Sequence, residues 1–311
     1  MRPRRQRSTV LARRQLRSRL ARGTEAKMGR LDDRVAIVTG TSRGIGKAIA
    51  ELFAAEGAQV ACVARTLEEG DHRLEGSLRG TVETIEQAGG TAIAIQANVG
   101  SEDGCEAIVA QTVDAFGRVD VLVNNAAMTT YHPLTEFPLR RWKLGFDVNI
   151  HAPFYLSQLV LPGMIERGRG AICNISSSSS GGPGRSPYAE QERVDAGTMY
   201  GASKAALERF TQGLAAELWP HRIAVSALSP SNLVPTPGAT ASELGPGANL
   251  AAVVTEPADH MAQAALWLVS EPAERFSGRV VHSQPFLVEC GVIDHATGGG
   301  VERRGSAFSD T

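Results

Sequence analysis

Tyr200 and Lys204 stand four residues apart in a strongly helical stretch, a spacing that puts a phenol and an ammonium on one helix face. A free tyrosine keeps its proton up to about pH 10, too tightly for exchange near neutrality. A neighbouring ammonium favours the phenolate and lowers that value. The pair therefore reads as a proton donor and acceptor. Of the four tyrosines, at 131, 155, 188 and 200, only Tyr200 has a lysine four residues on. An aromatic core residue beside a surface lysine gives the same pattern, and roughly half of chains this long contain one by chance. The surrounding sequence has to decide.

The second group with chemistry is Thr39-Gly40-Thr41-Ser42-Arg43-Gly44-Ile45-Gly46. It follows a short apolar run and opens a helical pattern. Glycines there let backbone turn tightly and approach a pyrophosphate, and the free N–H groups of the helix start attract phosphate. The spacing is G-x-x-x-G-x-G, not the commoner G-x-G-x-x-G of dinucleotide sites. A Rossmann-type enzyme selects NAD with a carboxylate at the end of its second strand. Here that end reads Ala64-Arg65, with no acid to repel a 2′-phosphate and a guanidinium able to hold one. Arg43 is a second candidate cation. NADP(H) is therefore expected over NAD(H), although NAD remains possible and both arginines could be solvated surface charges.

The elements that must position these groups alternate along the chain. Strands are expected at 35–39, 59–64, 91–96, 119–123, 171–175, 223–228 and 279–282. Helices are expected at 45–55, 81–88, 102–116, 139–167 (interrupted near Pro153 and Pro162), 200–218 and 257–269. The strands are nearly continuous apolar runs, as required when both faces are buried. The fold class that follows is α/β, a doubly wound parallel sheet of Rossmann type in a single domain spanning 28–290.

Two terminal segments fall outside that domain. Residues 1–27 contain nine Arg, one Lys and one acid, a charge of +9, so the remainder carries −10. The segment reads as a basic N-terminal extension, either a solvated or transit-like arm or sequence upstream of a true start at Met28. Residues 291–311 read as a C-terminal tail. The acidic body offers no field for nucleic acid, and no run of 18 apolar residues suggests a membrane span. Cys62, Cys105, Cys173 and Cys290 form no C-x-x-C pair, which suits a reduced, cytoplasmic protein. The seven histidines form no metal-ligand pattern, so no metal site is expected.

Taken together, TGTSRGIG (39–46), Asn124-Asn125-Ala126-Ala127, Asn149, Asn174-Ile175-Ser176-Ser177 and Tyr200-x-x-x-Lys204 resemble, in order, the landmarks of the short-chain dehydrogenase/reductase family. The resemblance spans about residues 31–285. It implies a reversible carbonyl/alcohol oxidoreductase acting on a small molecule and assembled as a homodimer or homotetramer. It implies that Tyr200 is the acid/base, that Lys204 also binds the nicotinamide ribose, and that Ser177 orients the substrate oxygen, with Ser176 and Ser178 as rivals. Asn149 would hold a water in a proton relay. Asn98, Val99, Asn125 and Ala126 would line the adenosine side, and Val234 and Thr236 the nicotinamide side. An alternative is a non-catalytic dinucleotide-binding regulator, which would need the glycine loop but not the Tyr–Lys pair. Three departures stand out: a stretch between Ser177 and Tyr200 about ten residues longer than usual, a long segment TLEEGDHRLEGSLRG after the second strand, and Pro230-Ser231 in place of Pro-Gly. The segment after Thr236 reads as a mobile lid over the substrate.

Overall fold

The computed structural model describes residues 28–182, 186–187, 197–242 and 253–298. The basic extension, most of the long insertion before Tyr200, including Tyr188, part of the expected lid, and the last thirteen residues lie outside the described residues.

Seven parallel strands form one sheet in the order β3-β2-β1-β4-β5-β6-β7. They are β1 (Val35–Thr39), β2 (Gln59–Ala64), β3 (Thr91–Gln96), β4 (Val121–Asn124), β5 (Gly170–Ile175), β6 (Ile223–Ser229) and β7 (Val280–His282). Every residue of β1 and β6 is buried, whereas in the edge strand β3 only Ala92 and Ile95 are. The two faces of the sheet feed separate cores. Ala36 and Val38 join one with Phe53, Leu78, Met261 and Phe286, while Ile37 joins the other with Ile108, Leu156, Met164 and Leu214.

Helices α1 (Gly44–Ala55), α2 (Leu78–Gln87) and α3 (Glu102–Phe116) follow the first three strands. Ser77 caps α2 by accepting the Gly80 amide, so this helix starts three residues before the apolar spacing suggested. β4 starts two residues later than expected, because Asp120 is spent on a corner: its carboxylate accepts the Val35 amide at 3.0 Å and Arg118 at 2.8 Å.

The long middle helix is interrupted just before Pro153, as expected, and not at Pro162. α4 (Leu139–Phe146) runs into a π-helical turn at Asp147–His151 and resumes as α5 (Ala152–Arg167). Pro153 is the second residue of α5, directly after the π turn, and has no N–H to offer the carbonyls of that turn. Pro162 lies inside α5 without ending it. α6 (Thr198–Leu218) starts just before Tyr200. The short helices α7 (Pro237–Ser242), α9 (Ala273–Phe276) and α10 (Ser283–Glu289), on either side of α8 (Ala258–Ser270), were not anticipated.

The packed body extends past 290. Val292 and Ile293 pack against the core, and the Thr297 and Gly298 amides donate to Gln284 Oε1 at 2.7 and 3.2 Å. No described helix is long and apolar enough to cross a membrane.

Candidate active site

The C-terminal ends of β1, β4, β5 and β6 open onto one cleft of about 850 Å³. It lies where the strand order reverses, the place where open α/β sheets bind ligands. Gly40, Ser42, Arg43, Gly44, Ile45 and Gly46 line one wall. Gly40 (φ +76°) and Gly44 (φ +58°) take left-handed backbone that favours glycine. A Cβ on Gly44 would sit 2.7 Å from the Thr236 methyl, and one on Gly40 would sit 2.8 Å from the Asn125 amide. Glycine is thus required at both positions by the backbone conformation and by the close packing of Thr236 and Asn125. Thr41 is the exception in the loop: it is fully buried, its carbonyl accepts the Thr81 hydroxyl, and it does not reach the cleft.

Asn125 and Ala126 line the cleft and are tied to β1. The Asn125 side chain donates to the Thr39 carbonyl at 2.8 Å, and the Ala126 amide to the Thr39 hydroxyl at 3.0 Å. Beneath them Asn124 donates to Asn174, and Asn174 to Thr211, a buried polar chain across β4, β5 and α6. Asn98 and Val99, just after β3, also line the cleft; Asn98 accepts the Gly100 amide and so turns the chain there. On the far side Val234 and Thr236 line the wall, with the Thr236 hydroxyl accepting the Ala239 amide.

Arg65 is exposed at the lip of the cleft. Arg43 behaves differently. Its guanidinium donates to the carbonyls of Glu75, Leu74 and Gly76 at 2.7, 2.9 and 3.1 Å, so it grips the segment after β2. That segment brings His72 and Arg73 to the same lip. Burial, with Arg43, Arg65 and Arg73 nearby, holds the His72 imidazole below its ordinary pKa. Neither residue was singled out from the sequence; the unusual length of the segment was the only signal.

Tyr200, Lys204 and Ser177 meet at the opposite end of the cleft. Tyr200 is largely buried, with Tyr131 edge-on to its ring at 6.3 Å. Lys204 is buried, lies 5.6 Å from the Tyr200 ring centre, and donates to the Ile175 carbonyl at 2.6 Å. Burial pulls its ammonium down to about 8, against the opposing pull of the Glu208 charge. Ser177 is half-buried and opens the 3₁₀ turn Ser178–Gly181, its hydroxyl accepting the Ser179 amide. Of its rivals, Ser176 is buried and donates to Glu208 at 2.7 Å, whereas Ser178 is exposed.

Asn149 sits in the π turn but does not line the cleft. Its amide donates to the Met128 carbonyl and the Ser203 hydroxyl, and accepts the Met128 amide. Both side-chain donors are therefore used in fixing the 128 loop to α6. Among the described residues no cluster of His, Cys, Asp or Glu could hold a metal ion. Burial pushes the Cys62 and Cys173 thiols up to about 12 and Cys105 up to about 11, which removes them as nucleophiles.

This site on this sheet belongs to a known class. The family described as short chain dehydrogenase matches residues 34–244, and the chain is a member of it, an oxidoreductase of the short-chain dehydrogenase/reductase type. A short chain dehydrogenase of Pseudocercospora fijiensis is 38% identical over 223 residues, 71% of this chain and 64% of that one. A metagenomic short-chain oxidoreductase crystallised in complex with NADP is 30% identical with a TM-score of 0.65, covering 81% of this chain and 97% of the other. A short chain dehydrogenase from Burkholderia cenocepacia J2315, also in complex with NADP, is 30% identical with a TM-score of 0.66, covering 81% and 97%.

Proposed function

We propose that the chain is an NADP(H)-preferring enzyme that interconverts a carbonyl and an alcohol, with Tyr200 as general acid/base. The observation that carries this reading is the sharing of one cleft by the glycine cradle, the arginine lip and the Tyr200–Lys204 pair. The NADP complexes of two similar proteins support the choice of cofactor.

The residues present fit such a cofactor. Gly40, Gly44 and Gly46 leave room for a pyrophosphate at the start of α1, and Arg65 and Arg73 stand ready for a 2′-phosphate. Val234 and Thr236 would hold the nicotinamide end. A dinucleotide bound there supplies hydride to the carbonyl carbon, or takes it back from the alcohol. Ser177 donates a hydrogen bond to the carbonyl oxygen as charge grows on it. Tyr200 delivers its proton to that oxygen, giving the alcohol; in the reverse direction it takes the hydroxyl proton. Lys204 keeps positive charge beside the phenol and steadies its deprotonated form. The Tyr–Lys pair weighs against a purely regulatory role, which needs the cradle but no acid.

Screening the purified protein against aldehydes, ketones, vicinal diketones and the matching alcohols, by absorbance of reduced nicotinamide, tests the activity and narrows the substrate. Tyr200→Phe is expected to bind NADPH as the parent does and to lose turnover by at least about a hundredfold. Retained turnover would remove Tyr200 from the mechanism. Arg65→Ala is expected to weaken NADPH by about tenfold while leaving NADH nearly unchanged, the size of one lost charge-assisted contact. Equal losses for both would end the case for a phosphate site there.

A further inference from the structure

The sequence reading left Glu208 without a role. It lies on α6 one helical turn beyond Lys204, is only 7% exposed, and is one of few acids this deep in the fold. One oxygen, Oε1, accepts two hydroxyls: Ser176 at 2.7 Å and Ser180 at 2.6 Å. These serines bracket Ser177, one on the strand side and one inside the 3₁₀ turn. The same turn is pressed onto the start of α6, where a Cβ on Gly201 would come within 2.8 Å of the Ser179 carbonyl. Ser177 itself is held only by its neighbours in the turn, through the Ser179 amide and hydroxyl.

We propose that Glu208 is a positioning residue: by clamping Ser176 and Ser180 it fixes the turn between them and aims the Ser177 hydroxyl into the cleft. The proposal rests on Ser177 being the substrate-orienting hydroxyl. A serine-rich strand end without such a clamp is a flexible turn, and a hydroxyl that wanders by an ångström loses most of its effect on a developing charge. A carboxylate suits the task, because one oxygen can take two hydroxyl donors at once and hydrogen bonds to charged acceptors are the stronger ones. Buried beside Lys204, it also keeps that ammonium from standing alone in the interior.

The test uses the full chain, NADPH and phenanthrenequinone, a vicinal diketone that asks little of substrate recognition. Glu208→Leu is expected to lower kcat by about tenfold to a hundredfold with little change in NADPH affinity. Glu208→Gln keeps an acceptor oxygen and is expected to recover most of that loss. Because the leucine variant strands two buried hydroxyls at a cost in stability, Ser176→Ala with Ser180→Ala is made alongside and is expected to reproduce the loss. In a Ser177→Ala background, Glu208→Leu should cost little more, since a residue acting through Ser177 has nothing left to aim. Hydrogen exchange supplies a readout apart from turnover: residues 176–181 should exchange faster in Glu208→Leu and at the parent rate in Glu208→Gln. Full activity of Glu208→Leu, or an equal further loss in the Ser177→Ala background, overturns the proposal. Full activity of Ser177→Ala overturns the Ser177 reading and the proposal with it. An inactive Ser177→Ala beside an unaffected Glu208→Leu overturns the proposal alone.

Discussion

Burial lowers the Lys204 ammonium to about 8 from its ordinary 10.5. Between those values the unfolded chain binds a proton at this position that the folded chain has lost. Stability of the cofactor-free protein therefore rises with pH across this window, and the full cost of burying the charge is present below it. The melting temperature of the parent relative to Lys204→Met is thus expected to climb between about pH 8 and pH 10.5, measured without dinucleotide; a flat difference contradicts the assignment of that cost to Lys204. Tyr200 and Lys204 were legible in the sequence because their relation is local, one turn of one helix. Glu208, His72 and Arg73 were not, because what gives each its role is a partner far along the chain: Ser176 lies 32 residues before Glu208, and Arg43 reaches the 74–76 carbonyls from 31 to 33 residues away.

The loop from β1 to α1 was the element read most fully in advance, since glycine spacing is a direct statement about backbone shape. Gly44→Ala forces a side chain into left-handed backbone and drives a Cβ against Thr236, which lines the far wall of the cleft. It is expected to cost about 1 kcal/mol in stability and to weaken the dinucleotide by about tenfold or more, read by calorimetric titration. The strands were equally plain, as unbroken apolar runs leave a parallel sheet as the natural solution. In the long middle helix the interruption expected near Pro153 is present as a π turn at 147–151, whereas Pro162 is carried inside α5. Within that turn Asn149 spends its amide on Met128 and Ser203. The family resemblance singled out that asparagine without revealing that its side chain is spent on the protein and does not line the cleft.

At the scale of the whole molecule, the site draws on both ends of the described chain. The Ser231 and Asn232 amides donate to Glu256, which also accepts from Ser283 and Gln284, and Gln284 in turn accepts the Thr297 and Gly298 amides. Ser231 and Asn232 lead directly into the Val234–Thr236 wall of the cleft. A chain ending at 290 is therefore expected to lose about 1–3 kcal/mol in urea denaturation, the range for stranding a buried polar group. It should bind NADPH more weakly yet hold a free adenosine 2′,5′-bisphosphate as before, because the arginine lip is untouched. Equal binding of NADPH by the full and shortened chains would separate the C-terminal segment from the site. This brace ties one rim of the cleft to a segment far along the chain: slack at Gln284 would reach the 231–236 wall through Glu256 and leave the glycine loop on the opposite wall undisturbed.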